Sequence, residues 1–143
     1  MGQVSAILDE KGREVLRIGG AAAALEAAKL MVERNVGSLL VMEDDETVGI
    51  VTERDYLRRV VAEELDGSKT PVREIMSAPL IVVTPQTSVD ECMAVMTNRR
   101  IRHLPVAEGG AVAGIVSIGD VVKFQAREQT FELQLLQDYI AAS

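Results

Sequence analysis

Apolar and polar positions follow one pattern along this chain, and the pattern is written twice. A short apolar run, at 14–18 in one copy and 80–83 in the other, leads into a segment whose apolar residues recur at spacings of three and four. Such spacings are typical of one face of a helix, and short continuous apolar runs are typical of buried strands. Two more apolar runs and a second helical segment follow. Each copy therefore predicts the order β-α-β-β-α.

The helices and turns can be placed within this pattern. Short polar segments at 43–47 and 108–111 separate the second and third strands, which predicts a hairpin in each copy. The second helices are expected to begin after Thr52 and Ser117. The first helices are defined by two apolar series: Leu25, Ala28 and Val32 in the first copy, and Val89, Cys92, Met93 and Met96 in the second.

The two copies also match letter by letter. GIVTERDYLRR at 49–59 matches GIVSIGDVVKF at 114–124, an offset of 65 residues. VSAIL at 4–8 resembles VREIM at 72–76, but at an offset of 68. The first copy has therefore gained three residues between Asp9 and Gly20. A repeat with two copies predicts a pseudo-symmetric pair.

These observations predict an α+β fold with two pseudo-symmetric β-α-β-β-α repeats packed together and a C-terminal amphipathic helix. We place the first repeat at 1–65, a linker (DGSKTP) at 66–71, the second repeat at 72–126 and the terminal helix at 127–143. Each half is too small to bury its apolar faces alone, so the halves should pack on one another. The terminal helix carries its apolar residues on one side: Phe131, Leu135 and Tyr139, with Leu136 and Ile140 beside them.

Composition narrows the possible functions. The 143 residues are 48% hydrophobic, with a net charge of −7 and a pI of about 4.8. That charge argues against a nucleic-acid backbone or an anionic membrane as the main partner, although a small anion could still bind in a locally basic place. The start of the sequence lacks a signal-peptide pattern and no apolar stretch reaches 18 residues, so we expect a soluble cytoplasmic protein. One Cys and one His cannot form an internal disulfide or a zinc site.

The pattern [ST]-x-x-D follows the third strand of both copies, as Thr52 to Asp55 and as Ser117 to Asp120. One interpretation is a helix N-cap with an acidic residue in the first turn. A capping box prefers Glu or Gln over Asp at that position, because the longer side chain reaches back. A helix start also suits a phosphate, and a carboxylate can accept two hydrogen bonds from a ribose diol. The residues alone leave both interpretations open.

Together these segments resemble a tandem pair of CBS domains, modules that sense adenine nucleotides in several enzymes and channels. The resemblance rests on IM at 75–76, RIRHLPV at 100–106 and the paired G-h-h-[ST]-x-x-D signatures, and it covers Val4 to Gln125. It is strongest to small stand-alone CBS-pair proteins of bacteria and plant organelles. The resemblance implies a regulatory ligand sensor that is not an enzyme and that forms a homodimer. It also implies an adenosine ligand such as AMP, ADP, ATP or an NAD-type dinucleotide.

The resemblance implies two ligand sites. The first would hold ribose and phosphate with the following residues: Thr52, Asp55, Ser77, Leu80 and Ile81, with Arg102 and His103 turned toward the phosphates. The basic pair favours a phosphate-bearing ligand over a sulfonium compound such as S-adenosylmethionine.

The second implied site departs from the family pattern. It would use Ser117 and Asp120 with residues of the first copy: Asp9, Val15, Leu16 and Gly37-Ser38. Asp9 stands where the family usually has Ser or Thr, and the sequence offers this site no basic pair. We expect the first site to bind anions better, and the second to be weak, empty or adapted to a less charged ligand.

Simpler interpretations stand beside these. His103 by itself fits a partly buried structural histidine, and Cys92 fits a core position. Arg54, Arg58 and Arg59 fit a solvated helix face, with a phosphate contact by Arg54 still open. The residues suggest no nucleophile with a neighbouring base, so catalysis is not expected. An alternative function is a scaffold that binds no nucleotide and acts on a partner through the 127–142 helix.

Overall fold

Residues 2–142, which are those that the structure, a computed structural model, describes, form five α-helices and two small sheets. The α+β fold predicted from the sequence is confirmed. A π-helical turn at 57–61 extends α3, and a 3₁₀ turn lies at 72–74. The elements are α1 Val4–Lys11, β1 Arg17–Gly19, α2 Ala24–Arg34, β2 Ser38–Glu43, β3 Glu46–Thr52, α3 Glu53–Tyr56, α4 Val89–Arg99, β4 His103–Glu108, β5 Ala111–Ser117 and α5 Ile118–Ala142.

Both hairpins form where the polar turns predicted them. β2 pairs antiparallel with β3, and β4 pairs antiparallel with β5. The central residues of both turns have positive φ: Asp44 and Asp45 in the first, Gly109 and Gly110 in the second. Two consecutive positive φ values are typical of the type I′ turn, whose twist matches that of the paired strands.

The strand predicted at 80–83 is wrong, because in the described chain that segment makes only one parallel bridge, from Val83 to Val106. The equivalent strand of the first copy, β1, pairs parallel with β2 over three residues. There the Leu40 N–H donates to the Leu16 carbonyl at 3.0 Å. The residue equivalent to Leu40 is Pro105, which has no N–H to donate, so the second ladder cannot extend.

The first helices pack on their sheets by different faces. In α4, Val89, Cys92 and Met96 are buried, as their spacing predicted. Burial raises the pKa of the Cys92 thiol to about 11, so the thiol is protonated at neutral pH. In α2 the predicted face is wrong, since Val32 is 82% exposed. The residues of α2 that face the core lie one position earlier in the chain: Ala24, Ala27 and Met31.

The two copies exchange their leading segments. Val72 and Ile75, which follow the linker, are buried in the core of the first sheet, and α1 is buried in the core of the second. The repeated glycines make room for this exchange. A Cβ at Gly49 would lie 2.6 Å from Met76 Sδ, and one at Gly114 would lie 2.8 Å from the Leu8 side chain. The prediction that the halves pack together is therefore confirmed in an interlocked form.

The terminal helix is confirmed, but it is not separate from the second repeat. α5 runs without a break for 25 residues, from Ile118 to Ala142. Its apolar side beyond residue 130 is exposed: Phe131, Leu133, Leu135, Leu136, Tyr139 and Ile140. Within residues 2–142, the helices lack the combination of length and apolarity that crossing a membrane requires.

Candidate functional site

Thr52 and Asp55 form a complete capping box at the start of α3. The Asp55 N–H donates to Thr52 Oγ1 at 3.1 Å, and the Thr52 N–H donates to Asp55 Oδ2 at 3.0 Å. The N-cap interpretation is thus confirmed, and the expectation that Asp is too short to close the box is wrong. The box fixes the rotamer of the Asp55 carboxylate, which is only 7% exposed.

Ser77 completes this first site, which we define by Thr52, Asp55 and Ser77. Its hydroxyl donates to Asp55 Oδ1 at 2.9 Å. Its backbone pairs with Ile50, with the Ser77 N–H to Ile50 carbonyl bond at 2.8 Å. This close approach of segment 76–77 to β3 requires Gly49, because a Cβ there would lie 2.9 Å from the Ser77 carbonyl oxygen. The three residues predicted to act together are therefore brought together.

Leu80 and Ile81 follow Ser77 after a cis peptide bond between Ala78 and Pro79. Both side chains are half-buried, and Ile81 packs against the core of the second sheet. The segment thus runs from the Asp55 carboxylate toward the second copy. That Leu80 and Ile81 contact a ligand stays a prediction.

His103 lies between the two copies and not in the first site alone. It is the cross-strand partner of Ser117, and its Nε2 lies 2.8 Å from where a Cβ of Gly37 would be. Burial holds the pKa of the imidazole below its ordinary value. The carboxylates of Glu53 and Asp120 oppose that shift, and nearby cations, including Lys11, add to it. The ring is therefore mainly neutral at pH 7.

Arg102 is exposed beside His103. Its carbonyl accepts the Ile118 N–H at 2.8 Å, as the Gly37 carbonyl accepts the Glu53 N–H at 3.1 Å. These matched bonds tie the start of each second helix to the entry of the preceding strand. The Arg102 side chain thus stands at the edge of the pair, where it can reach an anion.

Ser117 and Asp120 repeat the capping box at the start of α5. The Ser117 N–H donates to Asp120 Oδ2 at 2.9 Å, and the Asp120 N–H donates to Ser117 Oγ at 3.1 Å. A residue that the sequence interpretation missed completes this second site, which we define by Ser117, Asp120 and Lys11. Lys11 Nζ donates to Asp120 Oδ2 at 2.6 Å and to the Ile115 carbonyl at 2.9 Å.

The lysine changes the electrostatics of the second site. Burial of Asp120 acts to raise the pKa of its carboxyl. The hydrogen bond and charge of Lys11, with the hydrogen bonds of Ser117, outweigh burial and hold that pKa below its ordinary value. Asp120 is therefore an ionised, paired carboxylate at neutral pH.

The other first-copy residues predicted at the second site are dispersed. The Asp9 side chain is 70% exposed and pairs with Arg13 at 3.0 Å, away from Asp120. Leu16 packs against the first core, and Val15 is half-buried. Ser38 is buried as the cross-strand partner of Thr52, next to Gly37.

Two arginines of the first copy hold the segments around the first site. Arg59 Nη1 donates to the Met76 carbonyl at 2.8 Å, and its Nε lies 4.0 Å from Asp55 Oδ1. Arg54 Nη1 donates to the Arg100 carbonyl of the other copy at 3.1 Å. Both were interpreted from the sequence as part of a solvated face. Their contacts could not be found from helix spacing, because the acceptors are backbone carbonyls distant in the chain.

Comparison with known proteins gives a consistent result. The profile of the CBS domain matches this chain twice, over residues 6–62 and 72–127. The mitochondrial CBS domain-containing protein CBSX3 of Arabidopsis thaliana is 44% identical over 120 residues, which are 80% of this chain but 58% of that protein. The CBS domain-containing protein YhcV of Bacillus subtilis is 32% identical over 89% of this chain and 90% of its own length.

A solved structure agrees in shape as well as in sequence. A protein with CBS domains from Burkholderia ambifaria MC40-6 superposes with a TM-score of 0.86 at 46% identity. The match covers 89% of this chain and 96% of that one. The fold and its tandem arrangement are thus shared with relatives from bacteria.

Proposed function

The chain belongs to the CBS-domain family as a tandem pair, and we propose that it is a regulatory module that binds a phosphate-bearing adenosine ligand. AMP is the first candidate, and ADP, ATP and NAD-type dinucleotides share the same groups. The observation that carries the proposal is the Asp55 carboxylate, held by Thr52 and Ser77 at a helix start between the two copies. A carboxylate fixed in this way can accept both hydroxyls of a ribose without first reorganising.

The surroundings of the first site suit a phosphate. Arg102 supplies a permanent positive charge in a chain whose net charge is −7. His103, neutral at pH 7 because of its lowered pKa, supplies a ring N–H donor. A phosphate is stabilised by such donors and by the positive end of the α3 dipole.

Signalling would arise from the interlocked packing. A ligand shifts an equilibrium only if it binds one arrangement better than another. A ligand that contacts Asp55 and Arg102 at once touches both copies, so its affinity depends on how the copies are placed. Ligand binding would then be transmitted through the exchanged segments to a regulated partner protein.

Self-association is part of this proposal. Exposed apolar side chains on the second helices of both copies include Leu57, Val61 and Val122. Next to Val32, a hollow of about 430 Å³ lies between α2 and α3. Burying these faces in an isologous homodimer would remove apolar surface from water. Sedimentation with and without AMP would measure the association state.

The proposed function is tested by thermal unfolding with a panel of adenosine compounds. A ligand at 100 times its Kd stabilises the native state by about 2.7 kcal/mol, which raises Tm by several degrees in a chain of this size. Asp55→Asn, which keeps the side-chain shape, should abolish most of the shift. Asp44→Asn makes the same change at an exposed turn residue and should leave the shift intact. No shift with any compound would contradict the proposal.

A scaffold without nucleotide binding is the second candidate, and the exposed apolar side of α5 favours it. Loss of partner binding on deletion of 127–142, with no effect of Asp55→Asn or of nucleotide, would support the scaffold. Partner binding that changes with nucleotide only when Asp55 is intact would support the sensor. Recovery of the nucleotide intact after incubation would exclude a nucleotide hydrolase.

A further inference from the structure

The two sites satisfy the same two acceptors with different groups. In the first site, Ser77 donates its N–H to the Ile50 carbonyl and its hydroxyl to Asp55. In the second site, the equivalent acceptors are the Ile115 carbonyl and Asp120. Both accept from the single ammonium group of Lys11. A charged side chain thus replaces a neutral serine.

The position of Lys11 is built into the fold. α1 continues as a helix to Lys11, whereas the equivalent segment of the second copy is a single 3₁₀ turn at 72–74. The preceding residue, Glu10, forms an ion pair with Arg127 of α5. The end of α1 is therefore fixed against α5 on the side of Asp120, and Lys11 is directed at the carboxylate.

We propose that Lys11 determines which ligands the second site accepts, by holding Asp120 until a ligand offers an anionic group to the displaced ammonium. This inference rests on the proposed function of the pair. Ribose hydroxyls alone would replace a charged donor on Asp120 by neutral donors, and charge-assisted hydrogen bonds are about twice as strong as neutral ones. A phosphate on the same ligand returns an ion pair to Lys11.

The lysine side chain can make this exchange. It has four methylene groups and three N–H donors, so its ammonium can turn from the carboxylate to a nearby phosphate without movement of the helix. Its side chain is 37% exposed, which leaves room for that rotation. The second site should therefore discriminate between a nucleotide and the corresponding nucleoside more strongly than Asp120 alone would.

The test measures AMP and adenosine binding at the second site. The Asp55→Asn background removes the first site, and Lys11→Met is compared with Lys69→Met, which makes the same change at an exposed lysine. We expect the preference for AMP over adenosine to fall about fivefold in Lys11→Met, the size of an ion pair of this exposure, and to stay unchanged in Lys69→Met. An unchanged preference in Lys11→Met would overturn the inference.

A second measurement does not need a ligand or the Asp55 variant. Acetylation of the Lys11 amine in the intact chain should be several-fold slower than that of Lys69, and Asp120→Asn should remove most of the difference. Equal rates in the wild type would overturn the inference. If AMP binds the wild type and only the Lys11 results fail, the proposed function survives. If AMP and adenosine bind none of the proteins, both fail.

Discussion

The first and second sites start from the same capping box but are completed by different parts of the chain. Asp55 accepts a hydroxyl from Ser77, which arrives on an extended segment, and Asp120 accepts an ammonium from Lys11 at the end of a helix. The three extra residues of the first copy account for the change, because they extend α1 past the position equivalent to Ser77. A small insertion outside a site can therefore change the charge of the site.

The parts of the repeat that do not differ are those that the fold needs. Glu53 and Ile118 make the same backbone bond to the entry of the preceding strand, and Gly49 and Gly114 both make room for an exchanged segment. These positions hold the two copies together. The variable positions lie in the segments that arrive from the other copy.

The largest difference between the copies should come from Gly49→Ala and Gly114→Ala. The new methyl group at 49 would meet the Ser77 backbone oxygen as well as Met76, whereas at 114 it meets only the movable end of Leu8. We expect Gly49→Ala to cost about 3 kcal/mol and Gly114→Ala about 1 kcal/mol, the two ends of the range for overpacking. Urea unfolding measures both, and equal costs would show that the segments are held alike.

Removing the two carboxylates should have the next largest effect. Asp55→Ala breaks the capping box and leaves the hydroxyls of Thr52 and Ser77 without their acceptor in a buried place, at a cost of about 2 kcal/mol. Asp120→Ala breaks the same box where the side chain is 23% exposed, so about 1 kcal/mol is expected. The free energy of unfolding in urea gives the comparison. A larger loss for Asp120→Ala would contradict it.

The partners of the carboxylates should contribute less. Ser77→Ala removes a hydrogen bond to a buried acceptor and should cost about 1 kcal/mol. Lys11→Met removes a partly exposed ion pair but keeps most of the apolar stem, so we expect less than about 1 kcal/mol. Chemical unfolding of both variants beside Lys69→Met would separate these values from a general effect of lost charge.

The smallest expected effect is the pH dependence that His103 gives to the boundary between the sites. Because its folded-state pKa lies below its ordinary value of 6.5, the unfolded chain takes up the proton first as the pH falls. The stability is therefore fully present above about pH 6.5 and decreases as the pH falls toward the folded-state pKa. His103 is the only histidine in the sequence. His103→Gln should unfold with a weaker dependence between about pH 7 and pH 5.5. An identical dependence would contradict the buried position of the ring.

Most of the fold could be predicted because the repeat is written in the sequence. The apolar runs locate both hairpins, and the offset of 65 residues pairs Thr52 with Ser117 and Asp55 with Asp120. The strand at 80–83 was over-predicted because its pairing depends on a distant residue, Pro105. The face of α2 was wrong by one position because three consecutive alanines before Ala24 give the spacing several possible starts.

The site was predictable in its capping boxes and less so in their partners. Ser77 could be found because the family resemblance aligns it. Lys11 could not, because it lies inside the insertion, where no residue of the second copy corresponds to it. The place of His103 between the copies depends on how the two sheets pack, which local patterns do not encode.

A calorimetric titration of the wild type, Asp55→Asn and Asp120→Asn with AMP tests the central claim most directly. We predict that AMP binds, that Asp55→Asn removes the tighter binding event, and that Asp120→Asn leaves it in place. Absence of AMP binding to the wild type, or loss of the tighter event in Asp120→Asn alone, would contradict the account.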